Sequence, residues 1–119
     1  MKKLFVFILC TCFACDKPLP QLENMDLTKW RNDKNGCSGD RIDMLVSLTS
    51  QKDKLKGLSE DGILKLLGKP DQNELYKRNQ KFFYYFLEPS VKCDPSKTNA
   101  KRLSIRFNAM ELAKEVVIE

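Results

Sequence analysis

Histidine is absent from all 119 residues. Its absence removes the most common general base and excludes Ser–His and Cys–His nucleophilic centres. Glycine and proline are scarce, at five each, and no Gly-rich phosphate loop occurs; Gly68-Lys69-Pro70 stops a helix instead. Outside the first fifteen residues only Cys37 and Cys93 remain, far apart and in no CxxC pair, so neither a redox centre nor a metal site is expected. No apolar run approaches the roughly 20 residues of a membrane-spanning helix. Carboxylates do occur at Asp40, Asp43, Glu60 and Asp61, but their places at helix starts account for them without catalysis. The expectation is a non-enzyme with no cofactor and no metal.

What is present begins at the N-terminus. Lys2 and Lys3 form a positive n-region, Leu4 to Phe13 is almost wholly apolar at about half a spanning length, and Ala14 precedes Cys15. Polarity then switches abruptly at Asp16, Lys17, Pro18 and Pro20. This reads as a bacterial lipoprotein signal over 1–14, with lipidation at Cys15. Cys12, preceded by Leu9, Cys10 and Thr11, is a competing site. The expected location is the bacterial cell envelope, lipid-anchored, at the outer membrane. Residues 15–25, polar and proline-containing, read as a tether, and 26–119 as a single domain.

Processing changes the charge. The whole chain has 21 Lys+Arg against 16 Asp+Glu, and loss of Lys2 and Lys3 leaves a balance of +3. No basic stripe or recognition motif stands out, so no nucleic-acid partner is expected. The densest cluster, Lys52, Lys54 and Lys56 around Asp53, reads as a solvated helix end with at most a weak attraction to anionic lipid. With Cys15 carrying lipid, Cys37 and Cys93 are left to pair in an oxidising compartment.

Asp26 or Thr28 is placed to cap a short helix carrying Leu27 and Trp30, the single tryptophan and a core anchor. Asn35-Gly36-Cys37-Ser38-Gly39 is a turn, with Ser38 or Asp40 able to start the next helix. Ile42, Leu45, Val46 and Thr49, widened by Leu48, predict an amphipathic helix to about Lys52. Ser59 sits at an N-cap with Glu60 and Asp61 in the first turn, and Leu58 with Ile63 forms a hydrophobic staple. Leu75-Tyr76-Lys77 and Phe82 to Leu87 then read as strands about a turn at Arg78-Asn79-Gln80. Leu103, Ile105 and Phe107 alternate with Arg102, Ser104 and Arg106 as a half-buried strand, and Leu112 to Ile118 runs back. The predicted class is α+β: a two-layer sandwich with N-terminal helices on one face of an antiparallel β-meander.

Leu58-Ser59, Ile63, Leu66-Leu67-Gly68-Lys69-Pro70-Asp71 and the following Tyr-Tyr strand resemble the small outer-membrane lipoproteins of the SmpA/OmlA (BamE-like) superfamily. The resemblance covers roughly Leu55 to Ile118. It implies a lipidated cysteine, a flexible tether, two helices and a three-stranded antiparallel sheet; β-lactamase inhibitor domains resemble that superfamily in fold. The segment Trp30 to Arg41, with its cysteine, is a departure, because the assembly-factor members need no such disulfide.

The aromatic strand is the binding candidate. Phe82, Tyr84 and Phe86 point to one face, and Phe83, Tyr85 and Leu87 to the other, beside a strand whose Arg102 and Arg106 mark a wet face. Aromatics mixed with arginine are enriched at interface hot spots. Phe82, Phe83, Tyr84, Tyr85, Phe86, Arg102 and Arg106 are therefore the candidate protein-binding residues; either set of three can be the outward one. The expected function is a lipid-anchored, non-catalytic protein-interaction module of the envelope, with a protein partner and a membrane contact through the lipid. The alternative is an inhibitor or immunity-type lipoprotein that binds an enzyme. Mass spectrometry of the mature N-terminus is expected to show an acylated Cys15; a free Asp16 or a bare Cys15 would contradict it.

Overall fold

The computed structural model describes residues 18–119, so the signal segment and Cys15 lie outside the described residues. Three short helices, α1 (Leu27–Asn32), α2 (Leu45–Gln51) and α3 (Glu60–Leu67), precede four strands. The strands are β1 (Gln72–Tyr76), β2 (Gln80–Phe86), β3 (Arg102–Phe107) and β4 (Ala113–Ile118). They pair antiparallel in the order β1-β2-β3-β4, with the helices against one face. This is the α+β class expected, with one more strand than the resemblance implies. Among the described residues no helix is long and apolar enough to cross a membrane.

Local chemistry accounts for the helix ends. Asp26 caps α1, accepting from the backbone N–H of Thr28 and Lys29, and Ser59 caps α3, accepting from Gly62. Leu58 and Ile63 are both buried, and α3 stops at Gly68, whose φ of 83° suits glycine. Trp30, Leu48, Leu55, Leu67, Tyr85, Leu103 and Phe107 are wholly buried between the layers. Each large side chain buried this way contributes roughly 1.5–3 kcal/mol.

Two expectations need correction. The stripe on the second helix holds only in part: Leu48 is buried and Ile42 and Leu45 pack against the core, but Val46 is 83% exposed and Thr49 is also outward, while Arg41, Met44 and Leu55 face the core. The buried positions Arg41, Met44, Leu48, Gln51 and Leu55 still recur every three or four residues, so the inward face keeps the helical period and is turned by about one position. The segment enters through a 3₁₀ turn (Ile42–Met44) and leaves through another (Lys52–Leu55).

The tether is also shorter than 15–25. Leu22 is buried in the core and Met25 packs against it. Glu23 N–H donates to Gln51 Oε1 at 2.6 Å, Gln51 Nε2 donates to the Glu23 carbonyl at 2.7 Å, and Lys54 Nζ donates to the Gln21 carbonyl at 3.1 Å. Leu19 reaches α3, with its Cδ2 3.5 Å from where a Cβ on Gly62 would stand. Two prolines and five polar residues concealed a strip whose leucines and methionine belong to the domain.

A buried polar centre joins the helical layer to one end of the sheet. Arg41, 1% exposed, donates from Nη1 to Asp71 Oδ2 at 2.6 Å and to the Phe86 carbonyl, and from Nε to the Trp30 carbonyl. Its guanidinium lies 5.0 Å from the Trp30 ring centre and 5.7 Å from that of Tyr85. Asp71 also accepts from the N–H groups of Asn35 and Phe86, and buried Asp33 accepts from those of Ser38 and Arg41. Nearby, the structure joins Cys37 to Cys93 in a disulfide, with Cα atoms 5.6 Å apart, tying this loop to the β2–β3 connection. Loop closure over 56 residues is worth roughly 4 kcal/mol on the chain-entropy account. Asp71→Ala strands a buried guanidinium, so it is expected to destabilise the domain by about 3–5 kcal/mol in urea unfolding. A loss below about 1 kcal/mol would show that the centre is not holding these segments.

Candidate protein-docking face

Strand register sorts the aromatic strand without ambiguity. Glu74, Phe82, Arg106 and Glu115 are successive partners across the four strands, and so are Gln72, Tyr84, Ser104 and Val117. Partners share a face, and these rungs, with Phe86 opposite Arg102, lie on the side away from the helices. Phe83, Tyr85 and Leu87 point the other way, into the core.

The expected set of seven therefore divides. Phe83 and Tyr85 are not available to a partner, which corrects their inclusion. Phe83 packs edge-on against Phe107 with ring centres 4.7 Å apart, and Tyr85 lies against Trp30 and donates its hydroxyl to the Gly68 carbonyl at 2.8 Å. Phe82, Tyr84, Phe86, Arg102 and Arg106 come together on the open face. Phe82, Phe86 and the two arginines are half-buried there.

Tyr84 is on the open face yet only 7% exposed. Arg102 lies 3.8 Å above its ring, Phe82 stacks beside it at 5.9 Å, and its hydroxyl donates to Glu74 Oε1 at 2.7 Å. Arg102 is itself held by Glu119 at 2.8 Å, and Arg106 by Glu115 at 3.2 Å. The surplus aromatic surface is thus partly covered from within the face by charged side chains. Cation–π and stacking contacts of this kind are worth about 0.5–1.5 kcal/mol each.

Sequence reasoning missed two members. Glu74 orients Tyr84, and Tyr76, 54% exposed, meets the edge of Phe82 at 5.9 Å. Extending period-2 alternation back from Tyr76 to Gln72 would have placed both on this face. At one end of the face, Phe86, Val91, Ala100 and Arg102 border a shallow groove of about 570 Å³ beneath the β2–β3 connection.

The electrostatics favour contact over proton transfer. Burial first, and then the hydrogen bond to Glu74, push the Tyr84 phenol up to about 12, and burial raises Tyr85 as well. Both phenols stay protonated at neutral pH and keep their donated hydrogen bonds, Tyr84 to Glu74 on the open face and Tyr85 to the Gly68 carbonyl in the core. Comparisons with protein families, with curated proteins and with solved structures return no match.

Because the Tyr84 phenol ionises less readily in the fold than in the unfolded chain, its contribution to stability is present below about pH 10. That contribution is lost as pH rises through about 12. Glu74→Gln is expected to move Tyr84 ionisation down toward the ordinary tyrosine range in a tyrosinate-absorbance titration referenced to Tyr84→Phe. A curve unchanged by Glu74→Gln would show that the carboxylate does not hold the phenol.

Proposed function

We propose that this chain is a lipid-anchored, non-catalytic interaction module of the bacterial cell envelope, held at the outer membrane through Cys15. Its open sheet face docks a protein partner. The observation that carries the reading is the half-exposed pair Phe82 and Phe86 beside Arg102 and Arg106, on a sheet face that the helices leave uncovered. The arginines add charge and planar stacking to apolar contact, the composition of an interface centre rather than of an idle surface. The N-terminal signal and the resemblance to SmpA/OmlA-type lipoproteins support the address. The groove beside Phe86 supplies a recess next to the flat face, into which a partner side chain fits.

Partner capture is read by placing a photo-crosslinking residue at Phe82 in the full-length chain in cells, with Val46, exposed on α2, as the comparison position. A crosslink at position 82 to the components of one assembly complex supports this reading. A single hydrolase or toxin at that position supports the inhibitor or immunity alternative. Crosslinks at 46 but none at 82 would overturn the choice of face. Phe86→Ala is expected to weaken the captured complex by about 1–2 kcal/mol, roughly ten-fold, while thermal unfolding stays close to that of the parent chain.

A further inference from the structure

Four features meet at the end of the sheet opposite the disulfide. The β1–β2 turn (residues 77–79) and the β3–β4 turn lie together there, because Lys81 pairs with Phe107. The start of α3 is fastened to both: Glu60 N–H donates to the Glu111 carbonyl, and the Glu60 carboxylate meets Lys81 Nζ at 3.0 Å. The N-terminal strip arrives at the same place, with Leu19 against Gly62. This end also carries exposed apolar side chains: Leu75 is 72% exposed, Tyr76 54%, Met110 76% and Leu19 45%.

We propose that this turn end is a second membrane contact: it rests on the lipid surface, with Leu75, Tyr76 and Met110 in the interfacial layer and Lys77 and Arg78 toward anionic headgroups. The proposal rests on the lipid-anchor reading. Cys15 is four residues from Leu19, so an acylated Cys15 is separated from the docked strip by at most about 14 Å of extended chain. That reach places whichever end bears Leu19 next to the bilayer, and the structure puts Leu19 at the turn end. Charge complementarity points the same way. Glu60 is matched by Lys81 and Asp61 by Lys65 at 3.1 Å, and against the remaining acid of the β3–β4 turn, Glu111, the hairpin tip sets two cations, Lys77 and Arg78. A tyrosine with leucine, methionine and flanking cations is the composition that settles in the headgroup region.

The test places tryptophan probes at the two ends of the sheet in the full-length lipoprotein purified from membranes, with Trp30, wholly buried, as a constant background. Tyr76→Trp reports the turn end and Val91→Trp the loop at the opposite end; Met110→Trp is a second turn-end probe should Tyr76→Trp misfold. Each is reconstituted in vesicles of bromine-labelled phosphatidylcholine with phosphatidylserine, after the N-terminal mass has been measured. Expected is several-fold stronger bromine quenching at position 76 or 110 than at 91, reduced when Lys77 and Arg78 are both changed to glutamine. Equal quenching at both ends, stronger quenching at 91, or none at 76 and 110 overturns the proposal while leaving the anchor intact, with a protein or a second copy as the remaining cover for this end. An N-terminus without acyl mass overturns the anchor reading itself, and this one with it.

Discussion

A guanidinium taken out of water has few acceptable surroundings, and the shape of this domain follows from supplying them to Arg41. Its donors require the Trp30 carbonyl from α1, Asp71 from the turn before β1, and the Phe86 carbonyl at the end of β2. Two aromatic rings from different layers flank its plane. A buried ion pair is weak evidence for stability, since desolvation cancels much of the attraction. What it does supply is geometry: three segments far apart in sequence can satisfy one side chain in one arrangement only. Gly36 belongs to the same constraint. At φ 69°, a Cβ there would stand 2.5 Å from the Glu88 carbonyl oxygen, so the loop closes on the sheet only without a side chain.

Much of the fold was legible because local signals agreed with the global pattern. The α3 cap, its staple and its glycine stop lie within ten residues, and Leu103, Ile105 and Phe107 announce their buried face by strict alternation. Legibility failed where the deciding partner was distant or the inward residues were polar. A structural carboxylate pair for Arg41 is readable from the sequence, but that its partner is Asp71, thirty positions on, is carried by no local pattern. The inward face of the second helical segment includes the polar Arg41 and Gln51, which a search for apolar periodicity passes over in favour of Val46. On the candidate face, the arginines and the aromatic strand were visible from alternation. The concealment of Tyr84 was not, because it depends on Glu74 and Arg102 arriving from the two neighbouring strands.

The two ends of the sheet are built for different purposes. One end is covalently and electrostatically fixed, with the disulfide, Arg41 and Gly36 within one loop cluster. The other consists of turns, where Arg78 and Asn79 hold successive positive φ angles and β1 is exposed along its whole length. Between them the open face is a ladder of alternating charge, Glu74, Arg106 and Glu115 on one rung and Arg102 with Glu119 at its edge. Such a face leaves flat aromatic area partly open while its ion pairs keep the chain wetted.

The strip from Leu19 to Met25 also decides how the domain behaves under load. Tension entering from the N-terminal side meets the Leu19 contact, the Gln21–Lys54 hydrogen bond, the Leu22 contact and the two Gln51 hydrogen bonds in turn. Neither the sheet nor the disulfide lies ahead of them in the chain. Peeling those seven residues off the helices releases about 24 Å of chain before Trp30 and the core are pulled. The strip therefore stores slack of its own, given up through a few contacts before the core around Trp30 is loaded.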